Sequence, residues 1–162
     1  MIILSANWQF IIRHPAHFIA FGFGAGLAPK APGTWGTLVA LPLYYGLMLW
    51  LSQPQMLILI ALAFVIGIGI CDVTGKNLGI SDYGGIVWDE IVAMWLVLVF
   101  APVQPVWWAV AFGLFRLFDI WKPFPISWFD THVKNGFGVM LDDLLAALFA
   151  IGSLYVMLWV LK

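Results

Sequence analysis

The sequence predicts an all-α integral membrane bundle of about five transmembrane helices, folded as one domain over residues 1–162. Three observations predict it. Apolar residues make up 64% of the chain and charged residues only 9%, against about 25% charged in a soluble domain. Mean hydropathy is +1.02, so lipid must be the main solvent. The charges are also bunched. On a five-span threading, Arg13, Lys30, Lys76, Arg116, Lys122 and Lys134 fall on one side, together with all 8 acidic residues. Only Lys162 falls on the other. The positive-inside rule makes the crowded side cytoplasmic.

Residues 1–20 are apolar but broken by Asn7, Gln9, Arg13, His14 and Pro15. They read as an interfacial segment, with Trp8 and Phe10 dipping into lipid. Arg13 follows an apolar run instead of preceding it, which is the wrong order for a signal peptide. The stretch from Gly22 to Thr37, GFGAGLAPKAPGTWGT, is dense in Gly and Pro and reads as an ordered loop. Thr37 then leads into the first span, which ends near Leu51 and carries Pro42 as a tolerated kink. The second span is Gln55 to Cys71, where Gly67 and Gly69 would allow close contact with a neighbouring helix, of this chain or of a second copy in a homo-oligomer. Asp72 to Gly85 reads as a loop or a short surface helix. The third span runs from about Ile86 to Ala101 and the fourth from Val106 to about Trp121, stopped by Pro123 and Pro125. A polar loop covers Ile126 to Met140. The fifth span begins near Asp142 and runs to Leu161.

Composition excludes some function classes. A formal net charge of −1 with no basic patch gives nothing for a nucleic acid to bind. The single Cys71 rules out an internal disulfide and a multi-cysteine metal site. His14, His17 and His132 have no zinc spacing.

The chemistry concentrates in three segments. Asp89 and Glu90 open the third span. Arg116, Asp119 and Lys122 close the fourth. Asp142 and Asp143 open the fifth. An acid in hydrocarbon costs roughly 2.5–3.5 kcal/mol, so it is kept for a partner or a task. Heights measured from the turn at Pro102–Pro105 put Glu90, Arg116 and Asp119 within about one helical turn of each other, at 1.5 Å per residue. Carboxylates from separate helices make an oxygen-ligand site that suits a hard cation such as Mg²⁺, which also accepts phosphate oxygens. Basic residues alongside suit phosphoryl chemistry. The APGT loop, with Thr34, adds backbone N–H groups at a helix start, an anion-binding arrangement.

Plainer readings stand beside these. Arg116 and Asp119 could simply pair at i,i+3. Asp142 and Asp143, like Asp89, could complement a helix dipole. Adjacent helix positions diverge, so only one of Asp89 and Glu90 need face a shared site. Lys122 and Lys134 could only set topology, and Thr34 could only cap a helix. Lys30, Asp72, Asp82 and Asp130 read as solvated loop charges. A transporter or channel using the intramembrane acids as a cation path is the alternative function, and a structural membrane protein is another.

The blocks GFGAGLAPKAPGTWGTL, IVWDE, FRLFDIWKPFPISWFD and GFGVMLDD, in that order, resemble the phosphatidylglycerophosphatase A family from about Gly22 to Ala147. The resemblance implies a Mg²⁺-dependent phosphatase of the bacterial inner membrane. It would convert the anionic phospholipid phosphatidylglycerophosphate to phosphatidylglycerol and phosphate at the cytoplasmic face. Carried onto this chain, its blocks cover Ala31 to Thr34, Asp89, Glu90, Arg116, Asp119, Lys122, Asp142 and Asp143, with Lys76 and Asp82 also fitting. The expected division has Glu90, Asp119, Asp142 and Asp143 on the metal. Thr34, Lys76, Arg116 and Lys122 would hold phosphate, and Asp89, Glu90, Asp119 and Lys122 would serve the reaction.

Overall fold

The computed structural model describes residues 6–161, so the first five residues of the interfacial segment and Lys162 lie outside it. Among the described residues every regular element is helical. Two short helices, α1 (Trp8–Ile12) and α2 (Pro15–Ala20), lead through a 3₁₀ segment (Gly22–Leu27) into α3 (Pro32–Met48). Then follow α4 (Gln53–Leu78), α5 (Trp88–Phe100), α6 (Pro105–Trp121), the short α7 (Ile126–His132) and α8 (Gly136–Val160).

Two of these, α4 and α8, are long and apolar enough to cross a membrane. The remaining long helices are shorter, with 17 residues in α3 and α6 and 13 in α5. Apolar side chains coat the outside: Ile58, Leu62 and Ile66 on α4, Val106, Leu117 and Ile120 on α6, Val156 and Val160 on α8 are all exposed. An apolar coat of this extent belongs against lipid. Exposed Trp50 and Trp159 mark one end of the bundle, and exposed Trp8, Trp35, Trp121 and Trp128 mark the other, an aromatic belt at each interface.

At the centre is α5. Beyond its first turn it is apolar on every face, and Ile91 to Trp95 and Val97 to Val99 are all buried. A helix without a polar face must be surrounded by protein or lipid, and here α3, α4 and α8 enclose it. Two indoles pin it in place. Trp88 Nε1 donates to the Ala63 carbonyl of α4 at 3.2 Å, and Trp95 Nε1 donates to the Ala40 carbonyl of α3 at 3.1 Å. At the other end Gln53 Nε2 donates to the Val99 carbonyl at 3.3 Å, which sets the start of α4 level with the end of α5. The start of α5 is therefore level with Ala63, while α4 continues fifteen residues further, about 22 Å at 1.5 Å per residue.

Several boundaries differ from the sequence reading, each for a local reason. α3 starts at Pro32, inside the expected loop, because Pro suits the first helical turn. It runs unbroken past Pro42. α4 absorbs the front of the expected 72–85 loop and stops at Gly79, whose φ of 77° ends the helix in the left-handed region. α8 starts at Gly136 because the Asn135 side chain accepts from Gly138 N at 3.0 Å. Asp142 and Asp143 therefore sit in its second turn, too far in to serve the helix dipole. Trp8 is exposed as expected, but Phe10 turns inward and stacks on His17 with ring centroids 4.2 Å apart. Gly67 packs tightly against Met140 and Trp88 of the same chain, whereas nothing approaches Gly69.

Candidate active site

Three carboxylates converge where α5 begins. Asp89, Glu90 and Asp143 each offer an oxygen, and the three oxygens lie within 4.8 Å of one another. Both members of the adjacent pair take part, because the start of α5 is enclosed and α8 packs along it. One oxygen of each (Asp89 Oδ1, Glu90 Oε2 and Asp143 Oδ2) is buried without a hydrogen-bond partner. Buried polar atoms are nearly always satisfied, so three acids this close together, each with an oxygen left open, call for shared protons or a cation. These residues can hold a metal ion.

Arg116 of α6 closes one side. Its Nη1 pairs with Asp119 Oδ2 one turn on and lies 3.7 Å from Glu90 Oε1. Arg116 Nε is buried and donates to nothing, so the guanidinium keeps a donor in reserve. The i,i+3 pairing of Arg116 with Asp119 is real, yet it does not exhaust the arginine. The Asp119 carboxyl also lies beside Asp143, so Asp119 borders the cluster through Arg116 and Asp143.

Asp142 belongs to an adjoining group. Lys122 Nζ donates to Asp142 Oδ2 at 2.6 Å and to Asp130 Oδ1 of α7 at 2.7 Å. Lys122 caps α6 with φ 47°, in the left-handed region. That is an uncommon conformation for a residue with a side chain, and such strain gathers at functional positions. Burial opposes the ammonium, but the Asp142 and Asp130 carboxylates outweigh it and raise its pKa above the usual lysine value. Burial likewise pushes Asp130 upward, and Lys122 overcomes this, so Asp130 ends below the ordinary carboxylate range. Asp130, which reads in the sequence as a solvated loop charge, is thus paired with Lys122 beside the acids.

Gly33 enters the sequence reading only as one letter of the APGT block. It lies in the first turn of α3, with the Glu90 carboxylate and Arg116 Nη1 directly against it. A methyl group there would collide with Glu90 Oε1. This is what brings the APGT block to the site: Gly33 gives the room, and half-buried Thr34 is the next residue of the same turn.

Comparison with known proteins shows which family the chain comes from. Residues 18–158 match the profile of the family described as phosphatidylglycerophosphatase A. The chain is 43% identical over 145 residues to the phosphatidylglycerophosphatase A of Escherichia coli, covering 89% of this chain and 84% of the relative. The chain belongs to the phosphatidylglycerophosphatase A family. A second relative carrying that name, from Haemophilus influenzae, is 46% identical over 141 residues, 86% of either chain. No solved structure matches.

Set against the phosphatidylglycerophosphatase A blocks, most of the expected residues meet. Asp89, Glu90 and Asp143 share one point, Arg116 and Asp119 border it, and Lys122 and Asp142 adjoin it. Lys76 does not join them. Its side chain is largely exposed and pairs with Asp72 at 2.5 Å. The cause is the length of α4, since Lys76 rides thirteen residues beyond Ala63, about 20 Å from the level of the acids. Asp82 is exposed on the following loop.

Proposed function

We propose that the chain hydrolyses the terminal phosphomonoester of phosphatidylglycerophosphate, releasing phosphatidylglycerol and inorganic phosphate, with Mg²⁺ as cofactor. The observation that carries this reading is the Asp89–Glu90–Asp143 cluster, with its open carboxylate oxygens and the spare Arg116 donor beside it. Membership of the family supplies the substrate class. The cytoplasmic orientation rests on the charge bias, and the bacterial inner membrane on the organisms of the relatives.

Asp89, Glu90 and Asp143 would hold the cation. Oxygen-only donors with few carboxylates are what Mg²⁺ takes in phosphate-handling sites. Bound there, it would offset phosphate charge and favour ionisation of a nearby water. Arg116 binds a phosphoryl oxygen through Nε while Asp119 fixes the guanidinium plane. Lys122 stays an ammonium, because Asp130 and Asp142 hold its proton, and so it acts as fixed positive charge and not as an acid. The first turn of α3 presents the Thr34 hydroxyl and the Gly33 N–H to the same phosphate, the Thr34 N–H being taken by the Ala31 carbonyl. Either a carboxylate of the cluster would attack phosphorus, breaking its bond to the glycerol oxygen so that phosphatidylglycerol leaves with a proton from water, and a second water would then hydrolyse the acyl phosphate; or a carboxylate would take a proton from the water that makes the same displacement and releases phosphate directly.

A cation path would need charged residues through the whole bundle. The distal halves of α3, α4, α5, α6 and α8 carry none, which disfavours transport. The deciding assay uses purified protein in phosphatidylglycerophosphate vesicles, with Mg²⁺ and then EDTA. Phosphate release that needs Mg²⁺ is expected. No release would overturn the enzyme reading, and release indifferent to EDTA would overturn the metal.

A further inference from the structure

Beside the acids, a groove of about 330 Å³ opens between α4, α5 and α8. Its walls are apolar, formed by Ala61 and Phe64 of α4, Ala93 and Leu96 of α5, and Leu144 of α8. Asp89 is the polar residue at its head. We infer that this groove seats an acyl chain of the phospholipid substrate, so that the enzyme selects a membrane lipid over a soluble phosphomonoester with the same headgroup. This deepens the proposed function and rests on it.

Four observations carry the inference. The groove is continuous with the reaction site, because Asp89 lines the one and offers an oxygen to the other, and its Oδ1 is buried without a partner. Direction is the second. Asp89, Ala93 and Leu96 follow one stripe of α5 for about 10 Å. That stripe runs away from the charged end of the bundle, as a lipid tail runs away from its headgroup. Shape is the third. Ala61 and Ala93 leave open the space that larger side chains would fill in a closed helix contact. Access is the fourth. Ala61 and Leu57 of the same wall are exposed on the lipid-facing side of α4, so a tail can enter sideways without crossing water.

The test fills the groove. Ala61→Trp and, separately, Leu57→Trp would be assayed on dioleoyl phosphatidylglycerophosphate and on the deacylated glycerophosphodiester carrying the same terminal phosphate. Wild type should cleave both, with a far lower KM for the lipid. Each variant should lose about tenfold or more in kcat/KM on the lipid, mainly through KM, while its rate on the deacylated compound stays within about twofold. That second rate also reports that the variant is folded. Unchanged lipid kinetics in both variants would overturn the inference. So would an equal loss on the two substrates in a variant whose thermal melt matches wild type, which would point to a structural lipid in the groove. Wild type inactive on both compounds would instead overturn the proposed function itself.

Discussion

Replacing Gly33 with alanine tests whether the first turn of α3 shapes the site. The added Cβ would overlap Glu90 Oε1 and come within 3.1 Å of Arg116 Nη1. Two effects compete. Alanine favours the helix over glycine by about 0.5–1 kcal/mol. Overpacking costs typically about 1–3 kcal/mol. The nearest atom is the end of a flexible carboxylate, so Glu90 can swing aside, and the net stability change should be no more than about 2 kcal/mol. Its swing, however, breaks the grouping that holds three oxygens within 4.8 Å. A displacement of about 1 Å at a reacting centre costs on the order of 100-fold. The expected result is therefore a small shift in thermal melting in detergent and a loss of kcat of roughly 100-fold. Gly69→Ala is the control, since nothing lies within 4 Å of its Cβ, and it should keep full activity. A Gly33→Ala enzyme with wild-type kcat would refute the contact that places α3 at the reaction site.

Four more perturbations separate the roles. Glu90→Gln should lower activity more than about 100-fold, since even outer-shell partners of a metal are worth about 10–100-fold; Mn²⁺ binding followed by electron paramagnetic resonance should weaken in parallel. Lys122→Met leaves Asp142 buried without its cation. For a pair only about a quarter exposed on the lysine side, the penalty should approach about 3 kcal/mol, read as a lowered melting temperature that Lys122→Met/Asp142→Asn partly restores. Lys76→Ala should leave kcat/KM within about twofold, because its partner is Asp72 and not the substrate. His17 is held neutral by burial, which lowers its pKa below 6.5 against the Phe10 carbonyl's opposing hydrogen bond. The unfolded chain therefore takes up the proton first. His17 should contribute no pH dependence more than about a unit above 6.5, and should reduce stability as pH falls through 6.5 toward the folded value. His17→Gln should flatten that part of the melting-temperature curve relative to wild type.

The lipid solvent, the one-sided charge and the acidic blocks are all legible in the sequence, because these are compositional and survive errors of a few residues in helix ends. The heights of Glu90 and Arg116 above the Pro102–Pro105 turn are legible too, since one hairpin sets both, and the 3.7 Å approach of their side chains agrees with them. Helix length is harder to read. Lys76 enters the expected site by its fit to the family's pattern, and where α4 ends decides how far it stands from the acids. The signal for that end is Gly79, a left-handed helix cap three residues past Lys76, which carries α4 beyond the polar run that looks like its end. Packing is harder still. Asp130 and Gly33 gain their roles only when α7 and α3 fold back onto the ends of α6 and α5, and no local pattern announces such a contact. Phe10 shows the same limit: an aromatic residue in an interfacial stretch reads as lipid-facing until a buried His17 gives it a partner.

The shortness of α5 has a consequence for how material leaves. Thirteen residues reach about 20 Å, against a hydrocarbon thickness of about 30 Å, so α5 alone is too short for a full span and its acidic end stops well below the end of α4. On the proposed reading, a reaction at that end of α5 would part its products by their chemistry: the freed anion would go to water, and the trimmed lipid would slide away in the plane of the leaflet.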